Sequence, residues 1–388
     1  MVTDILKKPT KTYCFIIKGL EILRKKICYV SPISIHSYRF MEAFRQRGYD
    51  ISLITDSCAW IAPKTNMFRV YVLPKLTWIN SPWLLTPNIL TIMKFLKKIK
   101  PDLVHLHVHH HYSLPIILSG FPFMLTTWGN EVLQLPHANW VLKTLARYAG
   151  RNARKITVDA RCVKKVWIEL GVPENKIELI FFGVDTSTFN PNVHGQDVRK
   201  RLELGKNDIV VISTRAFYED PPYNVECLIR AIPRVLKRHR NIKFIIKGTG
   251  PLENHLKSLT RELNVSRYVR FVGLMPHYEV AQYLNAADIY VSTCFIDSTS
   301  VSLLEAMACG LAPVVTDILG NREWIENGVN GFLFPPKNPK ALAEKIIELA
   351  ENEPLRKRFG ERCFRIIKRK ATWKESLAKM GAIYKSLL

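Results

Sequence analysis

Two carboxylates eight positions apart, Asp297 and Glu305, bracket the stretch richest in chemistry, DSTSVSLLEAMACG at 297–310. Ser298, Thr299 and Ser300 follow the first of them, three hydroxyl residues suited to capping a helix. An apolar helical run through Leu303, Leu304, Ala306, Met307 and Ala308 comes next, and Gly310 closes it. The apolar run DIYVSTC at 288–294 reads as a buried strand leading into the loop, and 312–315 reads as the next strand. Strand, loop, helix, strand sets a helix N-terminus where a strand ends. Its free N–H groups and positive dipole end suit a phosphate, and open α/β sheets bind ligands at the carboxyl ends of their strands. An anion site flanked by two carboxylates fits a sugar nucleotide, with amides for the diphosphate and carboxylates for hydroxyls. The same spacing also fits a plain capping box of Ser302 with Glu305, with Asp297 capping the turn.

This stretch resembles the nucleotide-sugar site of retaining, GT-B-fold glycosyltransferases of the family four (group 1) type. Their pattern is Glu, seven residues, Glu, then AMACG or close to it. Asp297 stands here for the first Glu, and Glu305 is the second. The downstream segment VVTDILGNREWIENGVNGFLFPP at 314–336 is also similar to that family. The resemblance spans 27–388 and is strongest from Arg215 onward. It implies an α/β, GT-B architecture: two doubly wound Rossmann-like domains facing across a cleft, with a C-terminal helix crossing back to the first. A basic extension at 1–26 precedes an acceptor-binding domain at 27–187. The nucleotide-sugar-binding domain would occupy 188–370 and the returning helix 371–388, with the hinge near 185–192.

The resemblance also assigns roles. An Arg at the end of the second domain's first strand holds the donor diphosphate, and Arg215 matches it. A Lys expected a few residues on is absent, and Tyr223 stands near its place, bringing one hydrogen bond and no charge. Lys247 and Gly248, in KGTG, border the donor base, and Lys247 is placed to restore the missing charge. Ser298, Thr299, Ser300, Val301 and Leu304 complete the donor side, with Glu305 on the ribose and Asp297 on sugar hydroxyls near the reacting carbon. In WGNEVL at 128–133, Trp128 follows one family form, and Glu131 takes the place of an Asp. Glu131 then orients the acceptor or stabilises positive charge at the sugar, and reads equally well as a helix cap. Trp128, Asn130, His36 and His107 are the acceptor-side candidates. The histidines at 107 and 109–111 invite a zinc reading, but neighbours on a strand alternate sides and no Cys or acid joins them locally. The family needs no metal and no cofactor beyond the nucleotide-diphospho-sugar co-substrate.

The totals fit this picture. The 388 residues, 47% apolar and 10% aromatic, are enough for two domains with real cores. No run of 18 uncharged apolar residues marks a membrane-spanning helix, and the apolar core at 13–17 is too short for a signal peptide. The eight cysteines are scattered, as reduced thiols in a cytoplasmic protein would be. The formal net charge is +24, concentrated at 143–165 and 356–370. No zinc finger, aromatic RNA motif or basic zipper accompanies it, which argues against nucleic acid. Solvated helix faces, an anionic substrate or an anionic membrane surface account for the charge, and a lipid-linked or polymeric acceptor favours the membrane. The apolar residues of 1–26 recur at roughly helical spacing among lysines, giving a basic amphipathic helix.

The sequence therefore points to a retaining glycosyltransferase that moves a sugar to a saccharide or lipid-linked acceptor. It would serve cell-surface polysaccharide or glycan synthesis, in the cytoplasm or peripherally on the inner membrane face. The alternative is a non-catalytic glycosyltransferase-like binding subunit at a membrane, motivated by Asp297, Tyr223 and Glu131. A glycosidase is disfavoured, because no isolated carboxylate pair is evident.

Overall fold

The computed structural model describes residues 24–32, 34–56, 68–73, 86–107, 112–219 and 223–388. The basic extension and the histidines at 109–111 therefore lie outside the described residues, apart from 24–26.

Two parallel sheets make up the molecule. The first holds β1 (Lys26–Val30), β2 (Asp50–Thr55), β3 (Arg69–Val72), β4 (Leu103–His107), β5 (Phe123–Thr127), β6 (Ile156–Val158) and β7 (Ile177–Leu179), in the order 3-2-1-4-5-6-7. The second holds β8 (Ile209–Ser213), β9 (Ile242–Lys247), β10 (Val269–Gly273), β11 (Ile289–Ser292), β12 (Ala312–Thr316) and β13 (Phe332–Phe334), in the order 10-9-8-11-12-13. Segments such as CYV in β1 and VVIS in β8 are buried on both faces, which is why they read as continuous apolar runs. Each sheet reverses its winding once, between β1 and β4 and between β8 and β11. Those two switch points are where crevices open at the carboxyl ends of the strands.

The side-chain period of two divides each strand between layers. Cys28, Val30, Val104 and Leu106 meet the helices Thr86–Ile99, Ser113–Ser119, Trp140–Asn152 and Arg161–Glu169 through Ile92, Ile116, Ala146 and Val163. Ile27, Tyr29, Ile51 and Leu103 face the other way, against Met41 and Phe44 of the Ile35–Gln46 helix and Met380 and Tyr384 of the last helix, Trp373–Leu387.

That last helix crosses back from the second domain. The preceding helix, Glu353–Lys370, buries Leu355 and Phe359 in one layer of the second domain, and Cys363 and Ile367 in the other. The chain then turns at Ala371, forms a bridge from Thr372 to Val184, and starts the final helix with a Thr372–Glu375 capping box. The Tyr384 hydroxyl lies 2.5 Å from both Tyr29 Oη and His105 Nδ1, and His105 Nε2 lies 2.6 Å from Thr126 Oγ1. Burial holds the His105 imidazole well below its ordinary pKa, so it is neutral in this chain of hydroxyls. The described cysteines are all free thiols.

Candidate functional site

At the second switch point β8 and β11 are neighbours, so the residues that follow them come together. Arg215 Nη2 donates to Asp297 Oδ2 at 2.7 Å, and its Nε donates to Ser292 Oγ at 3.1 Å. The Tyr223 ring lies 5.2 Å from the guanidinium carbon, within cation–π range. Gly248 sits buried behind this strand end at φ +156, where a Cβ would strike the Arg215 carbonyl. Ser300 caps the Val301–Ala308 helix, accepting from Leu303 N at 3.2 Å. Ser302 instead bonds the Tyr290 hydroxyl at 2.8 Å, so the Ser302–Glu305 capping box does not form. Glu305 is left to face the cavity, where His277 Nε2 meets its Oε1 at 2.6 Å.

The first domain closes over this loop. A Ser298 hydroxyl donates to Trp128 O at 3.0 Å and to Asp159 Oδ2 at 2.7 Å, and Thr299 Oγ1 donates to Asp159 O at 2.6 Å. Gly129, at φ +105, permits the approach, because a methyl there would run into the Ser298 side chain. Glu131 Oε1 accepts from Trp128 N at 2.7 Å and so fixes the turn that carries Trp128 and Asn130. Burial raises the Glu131 pKa, against the hydrogen bonds from its own loop.

Asp159 is fully buried, and its carboxyl is held well above the usual carboxylate range. Desolvation is the main cause, the Ser298 hydrogen bond opposes it, and Asp297 and Glu131 add repulsion. Because the folded form keeps its proton longer than the unfolded chain does, its stabilising effect is present at low pH. It is lost as pH rises from about 4 toward the raised value. Asp159→Asn is therefore expected to flatten the fall of the melting midpoint over that range, as differential scanning fluorimetry across pH would show.

The result is a cavity of about 480 Å³ between the domains, lined by Trp128, Asn130, Glu131 and Phe182 on one side and by Arg215, Tyr223, Lys247, His277, Asp297 and Glu305 on the other. Asn130 Oδ1 and Thr214 Oγ1, both in this wall, have no hydrogen-bond partner among the described residues. Buried polar atoms of that kind call for a ligand or water. Lys247 brings a second cation, its pKa lowered by burial and raised in part by Glu305. A larger hollow, about 730 Å³, lies at the opposite end of the second sheet, beside Asp208, Ile209 and Asp288. It borders the amino ends of the strands, away from the switch point.

The cavity thus gathers Trp128, Asn130, Glu131, Arg215, Tyr223, Lys247, Asp297, Thr299, Ser300, Val301 and Glu305. Four other expected residues fall outside this lining. Leu304 is wholly buried in the second domain's core, one helical step away from the face of Glu305. Ser298 is spent on the contact between domains, and Gly248 supports Arg215 from behind. His107 is fully buried and accepts from Trp128 Nε1 at 3.2 Å, so it braces a wall residue and does not reach the acceptor itself. The side chain of His36, in the first turn of the Ile35–Gln46 helix, lies outside the described residues.

Sequence reasoning missed His277, Asp159 and Arg39. Arg39 stacks over Trp373 at 4.0 Å, and burial lowers its pKa while Glu305 and Asp185 oppose the shift. His277 leaves no signal in spacing, since it stands 28 residues before its partner. Its loss would leave Glu305, a buried carboxylate, without its nearest donor. His277→Ala is expected to raise the donor KM about tenfold with little change in kcat, the mark of lost ground-state binding.

Comparison with known proteins agrees with this geometry. Residues 196–365 match the family model "Glycosyl transferases group 1", and residues 33–188 match "Glycosyltransferase Family 4". The chain is 24% identical over 376 residues to an uncharacterized glycosyltransferase of Methanocaldococcus jannaschii, covering 92% of this chain and 94% of that one. It is 25% identical over 341 residues to an Escherichia coli UDP-Gal:alpha-D-GlcNAc-diphosphoundecaprenol alpha-1,3-galactosyltransferase, covering 84% and 86%. Anabaena HepE, solved in complex with UDP and glucose, superposes with a TM-score of 0.79 at 17% identity, covering 94% of this chain and all of that one.

Proposed function

Because the chain belongs to the group 1 glycosyltransferases and is an enzyme of GT-B fold, we propose that it transfers a sugar from a nucleotide-diphospho-sugar, with retention, to a saccharide or lipid-linked acceptor. The observation that carries this is the pairing of charges in one cavity. Arg215, Lys247 and the N-terminus of the Val301–Ala308 helix stand between two carboxylates, Asp297 and Glu305. A diphosphate bearing a sugar at one end and a ribose at the other has the complementary order of groups.

Arg215 carries five N–H donors. Its bonds to Ser292 and Asp297 leave others for the diphosphate, and the amides at Ser300 and Val301 add to them. Glu305 holds the ribose hydroxyls, with His277 fixing its orientation. Asp297, ordered by Arg215 and by Ser298 N at 3.0 Å, takes sugar hydroxyls beside the anomeric carbon. Trp128, Asn130 and Glu131 form the acceptor's wall, with Glu131 positioning the turn. The bond from the anomeric carbon to the phosphate oxygen breaks, and a bond to the acceptor hydroxyl oxygen forms on the same face. The hydroxyl proton passes to the departing phosphate oxygen. The cations and helix end stabilise the charge that grows on the diphosphate. The chemistry asks no metal of these residues.

Among the described residues, no helix is long and apolar enough to cross a membrane. A cytoplasmic enzyme working peripherally in surface glycan synthesis is supported by the basic charge and by the E. coli relative, whose name specifies a diphosphoundecaprenol-linked acceptor. That relative and the UDP-bound neighbour favour a uridine donor.

Thermal-shift measurements with uridine-, guanosine- and adenosine-diphospho-sugars test the reading. One donor is expected to raise the melting midpoint by a few degrees, as binding to the folded state must, and Arg215→Ala and Glu305→Ala are each expected to abolish the shift. No shift with any donor in folded protein would sink the enzyme reading and favour the binding-subunit alternative.

A further inference from the structure

Half of the strongly exposed large apolar side chains among the described residues fall on three adjoining helices of the first domain. They are Leu90 on Thr86–Ile99, Leu118 on Ser113–Ser119, and Trp140, Val141, Leu142 and Tyr148 on Trp140–Asn152. The first helix packs on the second and the second on the third, so these side chains share one outer surface. Trp140 is 77% exposed, Leu90 68% and Leu118 58%, values that packing among the described residues does not explain.

The charge on these helices is of one sign, with Arg147 and Arg151 turned toward the Leu170 and Gly171 carbonyls. Lys94, Lys97, Lys98, Lys143, Arg147 and Arg151 all lie on the first and third helices, and none of the three helices contains an Asp or Glu. Surface helices of an ordinary soluble face intersperse both signs. An apolar set of Trp and Leu among cations alone is what the headgroup boundary of an anionic bilayer selects: rings and aliphatic chains enter the boundary while lysines meet the lipid phosphates.

Chain direction adds a second argument. In a parallel sheet each helix runs back from the carboxyl ends of the strands, so its first residues lie at the cleft end of the domain. Trp140, Val141 and Leu142 make up the first turn of their helix, and Leu90 lies in the first half of its own. Trp140, Val141, Leu142 and Leu90 therefore lie toward the cleft end of the domain, while Leu118, near the end of its helix, and the lysines at 97 and 98 extend the surface away from it.

We propose that this three-helix surface docks the enzyme on an anionic lipid bilayer and holds the mouth of the cleft against it, where a lipid-linked acceptor enters. The proposal rests on the acceptor reading above and gives it a place on the molecule. It also separates this surface from the basic residues at 1–23.

Co-sedimentation of the full chain with phosphatidylcholine vesicles, with and without phosphatidylglycerol, tests it. The wild type is expected to partition onto the phosphatidylglycerol vesicles, more weakly as salt rises. Trp140→Glu combined with Leu118→Glu is expected to lower that partition at least tenfold. An acid at Trp140 sits in the first turn of a helix, where it favours the fold. An unchanged melting midpoint and an unchanged nucleotide-sugar shift in the variant would confirm that the donor site is intact. Three results would each overturn the proposal. The wild type ignores the anionic vesicles. The double variant binds them like the wild type, which would move the contact to 1–23 or another face. Light scattering shows a dimer that the variant dissolves, which would make a second copy the occupant. Loss of the donor shift in the wild type would instead count against the proposed reaction, whatever the vesicles show.

Discussion

Arg215→Ala is expected to lower kcat/KM for sugar transfer by about 100- to 1,000-fold, the range seen when one preorganised charge donor is removed from a transition-state site. Two effects add. The departing diphosphate loses the guanidinium that lines the cavity among the described residues, and Lys247 is a point charge with none of its planar fork. Asp297 also loses its 2.7 Å partner while remaining 14% exposed, so an uncompensated carboxylate faces the phosphates. Arg215→Lys keeps charge but not geometry, and a smaller loss of about tenfold is expected. Because the two residues act as a unit, Arg215→Ala with Asp297→Asn should lose less than the sum of the separate losses. Steady-state kinetics on the four proteins of this cycle decide the matter. Activity of Arg215→Ala within tenfold of wild type would remove the residue from the diphosphate site.

Gly129→Ala is the second. The residue touches no substrate in the proposed reaction, yet kcat is expected to fall about 100-fold. A Cβ at φ +105 costs roughly 1–3 kcal/mol of backbone strain. The methyl would also displace the Ser298 hydroxyl from Trp128 O and Asp159. Losing both interdomain bonds would displace the wall carrying Trp128 and Asn130 from the donor loop, and about 2.7 kcal/mol of lost acceptor positioning is a factor of about 100 in rate. The check is a split of readouts: donor thermal shift nearly preserved, because Arg215 and Glu305 belong to the second domain, with turnover lost. Equal loss of both would mean that the change had disturbed the donor site itself.

The parts legible in the sequence are those set by local pattern. The loop at 297–300 was readable because a strand-like run precedes it and a helical run follows, and Arg215 because it stands at a strand end. The two-domain plan followed from alternating strands and helices together with the family resemblance, and the sheets at β8 and β11 place it as expected. Leu304 and Glu305 adjoin in sequence but part in the fold: Leu303, Leu304 and Met307 pack in the second domain's core, and Glu305 lines the cavity. His107 is a different case. Period two assigns it to the layer of Tyr29, but what covers that layer is a helix whose Tyr384 lies 279 positions after His105. Asp159 and Ser298 are likewise 139 positions apart. Contacts of that separation exist only once the topology is built, and no spacing rule reports them.

The returning helix has a consequence for the order in which the molecule matures. Synthesis delivers β1, β2, β4 and the Ile35–Gln46 helix early, yet the Tyr29, Ile51 and Leu103 side of that sheet acquires the rest of its cover only with residues 373–387. The second domain's layers draw on residues from Phe181 to Ala371 and are complete before then. Domains ordinarily mature in the order of synthesis. Here the half made first is finished last, and the growing chain carries a half-covered apolar sheet face until that helix arrives. A chain lacking 373–387 would hold a sound second domain tethered to an unsealed first one, a natural client for chaperones and proteases.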